Sequence, residues 1–222
     1  MKHLRYIWLL FMFLLPWNGT PLSAQDKIFP TSTFSLHAGT SWYTGNLFGI
    51  THRADTYRDD LRKGVAWEAD YWYTGSRSSE KAVKVGPGFI YQGSLYKATH
   101  EDGADKINMH YLSVQVGVFF FHKRGMWQVS AGPGYQIYTD KSTVYGKPRD
   151  VSMNKLAFNL SGGGEYFLSR HWGLSARINW ILSSSNAYSV DYHGEHWQVK
   201  RPQTGEGYFG QLSLLFGVNY HF

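Results

Sequence analysis

The chain of 222 residues has no cysteine. Disulfides, thiolate nucleophiles, cysteine-held zinc and a lipid-modified N-terminal cysteine are therefore all excluded. It also lacks a strong charge. Charged residues make up 17% of the chain and the net charge is +6, spread along the sequence, so no basic stretch reads as a nucleic-acid surface. Beyond residue 24 no segment holds 18 consecutive apolar residues, and the mean hydropathy is negative, which excludes helical membrane spans. What the chain does have is an aromatic content of 18% together with 24 glycines, a combination that suits strands better than packed helices.

The first 24 residues stand apart. Lys2 and Arg5 make a short basic start, Tyr6 to Leu15 is an apolar run, and Leu22-Ser23-Ala24 offers a small-residue cleavage site before Gln25. This is the pattern of a secretory signal peptide, too short in its apolar part to cross a bilayer as a helix. Residues 25–33 are expected to be a short, mobile lead-in, and residues 34–222 a single β domain.

Alternation with a period of two carries the fold prediction. Leu112, Val114, Val116, Val118 and Phe120 oppose Ser113, Gln115 and Gly117. Val129, Ala131, Pro133 and Tyr135 oppose Gln128, Ser130, Gly132 and Gly134. The same pattern holds over Leu156–Leu168 and Trp172–Leu182, and in the last strand, where Leu212 to Phe222 oppose Gln211 to His221. It holds less cleanly over Phe34–Leu47, Gly64–Thr74 and Val83–Tyr96. That makes eight strands of roughly 11 to 15 residues, enough to cross a bilayer at a tilt. Tight turns at Lys123-Arg124-Gly125 and Ser169-Arg170-His171, and a modest one at Ser76–Ala82, alternate with longer loops over Phe48–Lys63, Lys97–Asn108, Asp140–Ser152 and Ser184–Gly207. Short turns at one end and long loops at the other are the layout of a membrane barrel with a periplasmic and an extracellular side.

A soluble eight-stranded barrel such as a lipocalin is the rival, because alternation does not say which face points inward. Side-chain size decides against it. The polar face is rich in Gly, Ser, Asn and Gln, which fit the narrow interior of eight strands, while the larger aliphatic and aromatic face suits lipid. Trp172 and Trp180 lie on that face about 20 Å apart in depth, close to the ~25 Å band between aromatic girdles. Trp42, Trp67 and Trp127 are expected in the same girdles. The final strand ends Val218-Asn219-Tyr220-His221-Phe222. This ending resembles the terminal signal, here Tyr220 and Phe222, by which outer-membrane barrels are recognised for assembly. With the eight-strand layout, the chain is similar to the small OmpX/OmpA-type barrels of Gram-negative cell envelopes. The resemblance implies an all-β, up-and-down transmembrane barrel in the outer membrane, with the assembly machinery, outer-membrane lipid and lipopolysaccharide as partners.

Inside such a barrel the polar face would place His37, Glu68, Asp70, Lys84, Lys155, Glu165 and Arg177. Buried charges there require partners. Hairpin geometry predicts Glu165 with Arg177 and Asp70 with Lys84. Gly86-Pro87-Gly88-Phe89 and Gly132-Pro133-Gly134-Tyr135 echo each other. No helix follows for an anion to cap, so they read as sites of a bulge or sharp curvature.

The segment Ser183-Ser184-Ser185-Asn186-Ala187 resembles the His-x-Ser-Asn-Ala stretch of PagL-type lipid A deacylases. Ser185, Asn186 and Ala187 match, but Ser183 stands in place of the base that a serine nucleophile needs, and Gln211 stands near the place of the acid. A relocated base would have to be His193 or His196. His193-x-Glu195-His196 fits no standard metal spacing, and His100 to Asp105 lacks the ligand spacing of a calcium loop. No cofactor or metal is expected. Basic loop residues such as Arg58, Lys141 and Arg149 are placed to pair with lipid A phosphates. The leading expectation is a non-enzymatic barrel whose loops serve surface interaction with an unidentified partner, or envelope integrity. A lipid A hydrolase, a narrow porin-like channel and a subunit of a larger assembly are the alternatives.

Overall fold

The computed structural model describes residues 30–47, 50, 54–75, 82–101, 103–185, 187–200 and 207–222; the expected signal peptide lies outside them. Eight antiparallel strands close into a ring. In chain order they are β1 (Ser32–Tyr43), β2 (Lys63–Tyr73), β3 (Val83–His100), β4 (Gly103–His122), β5 (Gly125–Val144), β6 (Lys147–Phe167), β7 (Trp172–Ser185) and, after two short strands, β10 (Gly207–His221). Each pairs with its neighbour in sequence, β7 pairs with β10, and β10 closes on β1. The two short strands, β8 (Ala187–Tyr192) and β9 (Glu195–Lys200), form a hairpin added to β6 outside the ring. A short helix, α1 (Asp55–Leu61), lies between β1 and β2. No helix among the described residues is long and apolar enough to cross a membrane.

The predicted outward face is outward. Leu36, Val65, Val85, Val114, Val116, Val129, Leu160, Ile178 and Phe216 are exposed, as are Trp42, Trp67, Trp127, Trp172 and Trp180, the five tryptophans expected in the girdles. A soluble protein does not leave a continuous belt of this kind to water.

Four strands run much longer than predicted. β3 to β6 have 18 to 21 residues, against 12 and 11 in β1 and β2. The segments 97–108 and 140–152, expected as loops, are mostly paired strand. The first continues to His100↔Gly103 and the second turns on Tyr145 and Gly146, both at positive φ as a tight two-residue hairpin requires. The segment 184–207, also expected as a loop, contains the β8–β9 hairpin, turning on His193 and Gly194 in the same way.

The cause is an inversion of phase. Along β4 the apolar residues Leu112 to Phe120 point out, but Ile107 and Met109, on the other parity, point in and are fully buried. β6 does the same, with Leu156 and Phe158 outward and Val151 and Met153 buried inward. Where the wall leaves the apolar belt, its apolar side changes from outside to inside.

At the two Gly-Pro-Gly motifs the register does not slip. Ser113↔Gly134 and Val116↔Ala131 keep the same offset on either side of Pro133, and β3 pairs with β4 through Pro87 without interruption. Of the bulge or sharp curvature expected there, the bulge is absent. The glycines make room instead: a Cβ on Gly88 would lie 2.2 Å from the Trp72 ring, and one on Gly134 2.5 Å from the Tyr111 ring.

Candidate functional site

The lumen is layered. At the turn end Trp72, Ile90, Phe119, Phe121, Met126 and Phe167 form an apolar cluster, with Trp72 packed edge-on against Phe119. At the loop end Tyr43, Tyr57, Leu61, Tyr96, Ile107, Met109, Tyr138 and Phe209 form a second, which includes the buried side of α1. Polar side chains fill the space between. A cavity beside Arg177 and Glu165 measures about 10 Å³, room for no more than about one water molecule.

The polar layer is built around Arg177. Its guanidinium donates to Glu68 at 2.7 Å, to Asp70 at 2.9 Å and to Gln128 at 3.1 Å. His37 Nδ1 lies 3.3 Å from Asp70 and 3.6 Å from Glu68, while its Nε2 is 2.8 Å from Ser175. Asn179 donates to Glu68 and Gln92, and Gln92 donates to Ser213. His37, Glu68 and Asp70 could present three ligand atoms to a cation, but the guanidinium already sits against both carboxylates.

Of the lumenal residues chosen from sequence, His37, Glu68, Asp70, Lys84, Glu165 and Arg177 are buried, and Lys155 is half-buried opposite Gln136. The pairing differs from that expected. Asp70 pairs with Arg177, Lys84 lies over the Phe121 ring, and Glu165 meets His221 at 2.6 Å, which in turn meets Thr33. His221 was visible on the polar face of the last strand, yet nothing local to it signals a carboxylate on β6. Tyr220 packs on Trp172, His171 and Phe222 at the outer surface of the closing strand.

A second charged cluster lies at the loop end, beyond the belt. Asp105 and Asp140 point inward from β4 and β5, and Arg149 from β6 lies 3.3 Å from Asp105 and 3.7 Å from Asp140. Tyr57 of α1 donates to Asp105 at 2.9 Å. The backbone of α1 has no side-chain N-cap, so the burial of Tyr57 and Leu61 is what holds this seven-residue helix. Burial, and then the neighbouring Asp105 charge, push the Asp140 carboxyl up to about 7 against the pull of Arg149. Sequence reasoning missed this pair because both aspartates fell in segments taken for loops.

Ser185 is held by a local turn. Its hydroxyl donates to the Ala187 carbonyl at 2.7 Å and accepts from the Ala187 amide at 3.1 Å. His193 occupies the tip of the β8–β9 hairpin, and His196 is bound to Asp191 at 2.6 Å. The Ser183 hydroxyl lies against the Phe209 carbonyl and the Gln136 amide and can donate to one of them, and Gln211 accepts from Ser94 and Tyr96. These contacts do not assemble a nucleophile, base and acid. Asn186 lies outside the described residues.

No family model and no curated protein matches the sequence. Solved structures do match. OprG from Pseudomonas aeruginosa superposes with a TM-score of 0.54 at 9% identity, over 87% of this chain and 97% of its own. Neisserial surface protein A gives 0.51 at 10% identity, over 86% and 97%. The outer membrane protease OmpT from Escherichia coli gives 0.50 at 8% identity, over 90% and 100%. The fold is that of an outer-membrane β-barrel. At these identities the likeness is one of architecture and carries no activity.

Proposed function

We propose that this barrel resides in the outer membrane with its loop end outside the cell, and acts through the sheet it raises there. The observation that carries the reading is the tall wall of β3 to β6, extended sideways by β8 and β9. Its inner side is packed on the loop-end core, so it is a rigid surface and not a set of free loops. Tyr145 at one hairpin tip is 80% exposed, and Trp197 on β9 is also exposed. Exposed aromatics on a rigid frame are the side chains that anchor protein contacts. Surface interaction or maintenance of the envelope fits this arrangement better than transport, since apolar clusters stand at both ends of the lumen.

Replacing residues 187–200 with a short Gly/Ser linker tests the proposal. The β8–β9 hairpin lies outside the closed ring, so the barrel should still insert. Surface adherence and resistance to detergent stress should fall relative to cells making the intact protein. If both stay at the intact level while the protein is present in the membrane, the reading is wrong. Mass spectrometry of lipid A from the same cells covers hydrolase activity, and the expected acyl pattern is the same with and without the protein.

A further inference from the structure

Two buried polar atoms without a hydrogen-bond partner among the described residues line the same small cavity. They are Glu165 Oε2 on β6 and Gln128 Nε2 on β5. The other end of each group fixes how it is turned. Arg177 donates to Gln128 Oε1 at 3.1 Å, so the amide oxygen faces the guanidinium and the NH2 group faces the cavity. Glu165 Oε1 takes the contact with His221 at 2.6 Å, which leaves Oε2 over. Ser175, also in the lining, is committed elsewhere: its hydroxyl donates to Asn219 and meets His37 Nε2. Native proteins pair nearly all such buried atoms, with protein or with ordered water, so two orphans on one cavity call for a shared partner.

The order of residues across the strands makes the hollow. Gln128, Gly163 and Arg177 are direct neighbours on β5, β6 and β7, and Met126, Glu165 and Ser175 are neighbours on the next inward row. Gly163 puts no side chain between Gln128 and Arg177, and the space beside them and Glu165 measures about 10 Å³. That volume admits one water-sized molecule. Charge then selects its kind. A cation would face the Gln128 amide protons and the Arg177 guanidinium, and an anion would face the Glu165 carboxylate. Water accepts from the amide and donates to the carboxylate.

We propose that a single buried water binds between Gln128 Nε2 and Glu165 Oε2 and joins the two charged clusters of the lumen into one network. Thr33, His221 and Glu165 form the first cluster, and Arg177, Glu68, Asp70 and His37 the second. The water carries the connection from Glu165 through Gln128 to Arg177. The joined network reaches β1, β2, β5, β6, β7 and β10. The last strand is then tied to the central arginine by side chains as well as by its backbone ladder. The site is independent of what the β8–β9 hairpin does.

The test uses the full-length barrel folded in detergent micelles, with its glutamine side chains labelled with nitrogen-15. The Gln128 amide protons should show a rotating-frame Overhauser peak to a long-lived water, of the sign that marks contact and not exchange. The peak should vanish in Glu165→Leu. Thermal midpoints supply the second readout. Gln128→Leu and Glu165→Leu should each lower the midpoint by about 3–6 °C, and the double variant should lose less than their sum, because either change alone releases the water. Gln115 is a lumenal amide bonded to Ser130 and Asn159, away from the cavity. Gln115→Leu should therefore add in full to Glu165→Leu. If a leucine variant does not fold, Gln128→Asn keeps the amide, draws it back by one methylene and should lose the water peak. A resolved Gln128 amide with no water peak in the wild type, a peak that survives Glu165→Leu or Gln128→Asn, or fully additive losses at Gln128 and Glu165 would overturn the site.

Discussion

Arg177 on β7 and Glu68 on β2 meet at 2.7 Å across the lumen, although β1 and β10 separate their strands in the ring. Asp70 shares the same guanidinium. One cation therefore ties opposite sides of the barrel and neutralises two buried carboxylates. Replacing Arg177 with Met leaves both without a counter-charge and should cost about 3–5 kcal/mol. A Glu68→Gln/Asp70→Asn/Arg177→Met variant, which removes the charges together, should lose much less. Urea unfolding in lipid vesicles measures the difference, and equal losses would show that the ion cluster is incidental to the barrel.

The loop-end acid pair makes stability depend on pH. In the folded protein Asp140 keeps its proton to about pH 7, whereas in an unfolded chain it titrates near pH 4. The folded state thus binds more protons between those values, and stability falls as pH rises through them. The advantage is complete below about pH 4 and is lost above about pH 7. Amide exchange in α1, which Tyr57 ties to Asp105, should accelerate from pH 5 to pH 8 beyond the intrinsic increase. Asp140→Asn should flatten that excess, and an unchanged pH profile in this variant would remove the pair as its origin.

Gly88 and Gly162 should differ sharply in their tolerance of alanine. A Cβ at Gly88 runs into the Trp72 ring at 2.2 Å, while at Gly162 its nearest neighbour is 3.9 Å away. Gly88→Ala should destabilise by about 1–3 kcal/mol through overpacking. Gly162→Ala should be close to neutral. The Gly88→Ala loss should be partly recovered when Trp72 is also changed to Leu, and thermal midpoints in detergent suffice to compare the three.

Planar-bilayer recordings of the purified barrel should show no steady conductance. The turn-end cluster alone does not close the lumen, so Trp72→Ala/Phe119→Ala should stay silent while the loop-end cluster remains packed. Discrete openings in the wild type would contradict the filled lumen.

The ring of eight strands was legible because alternation assigns a face to each residue without any knowledge of its partners. That is why parity alone put Glu68, Asp70, Glu165 and Arg177 inside. Their pairing was not legible. Arg177 meets Glu68 across strands 109 residues apart in sequence, and Glu165 meets His221 across 56. Such distances depend on closure and stagger, to which no single hairpin refers. The upper wall was missed for another reason. Ile107 and Met109 continue the alternation of β4 on the opposite parity to Leu112 and Val114, so a pattern tuned to apolar-outward strands breaks off where water replaces lipid. The inward pairing of Asp105 and Asp140 with Arg149 went with it.

The uneven height of the ring has a consequence in the plane of the membrane. A cylinder with a level rim offers every neighbour the same view, and rotation about its axis changes nothing. Here β1 and β2 stop low while β3 to β6, with β8 above β7, stand high, so the molecule has a front and a back. Whatever approaches from the bulk can reach the rim over the low side, and whatever lies alongside in the leaflet meets either a screen or a sill. The barrel thus carries a compass bearing within a two-dimensional sheet, set by the lengths of four strands.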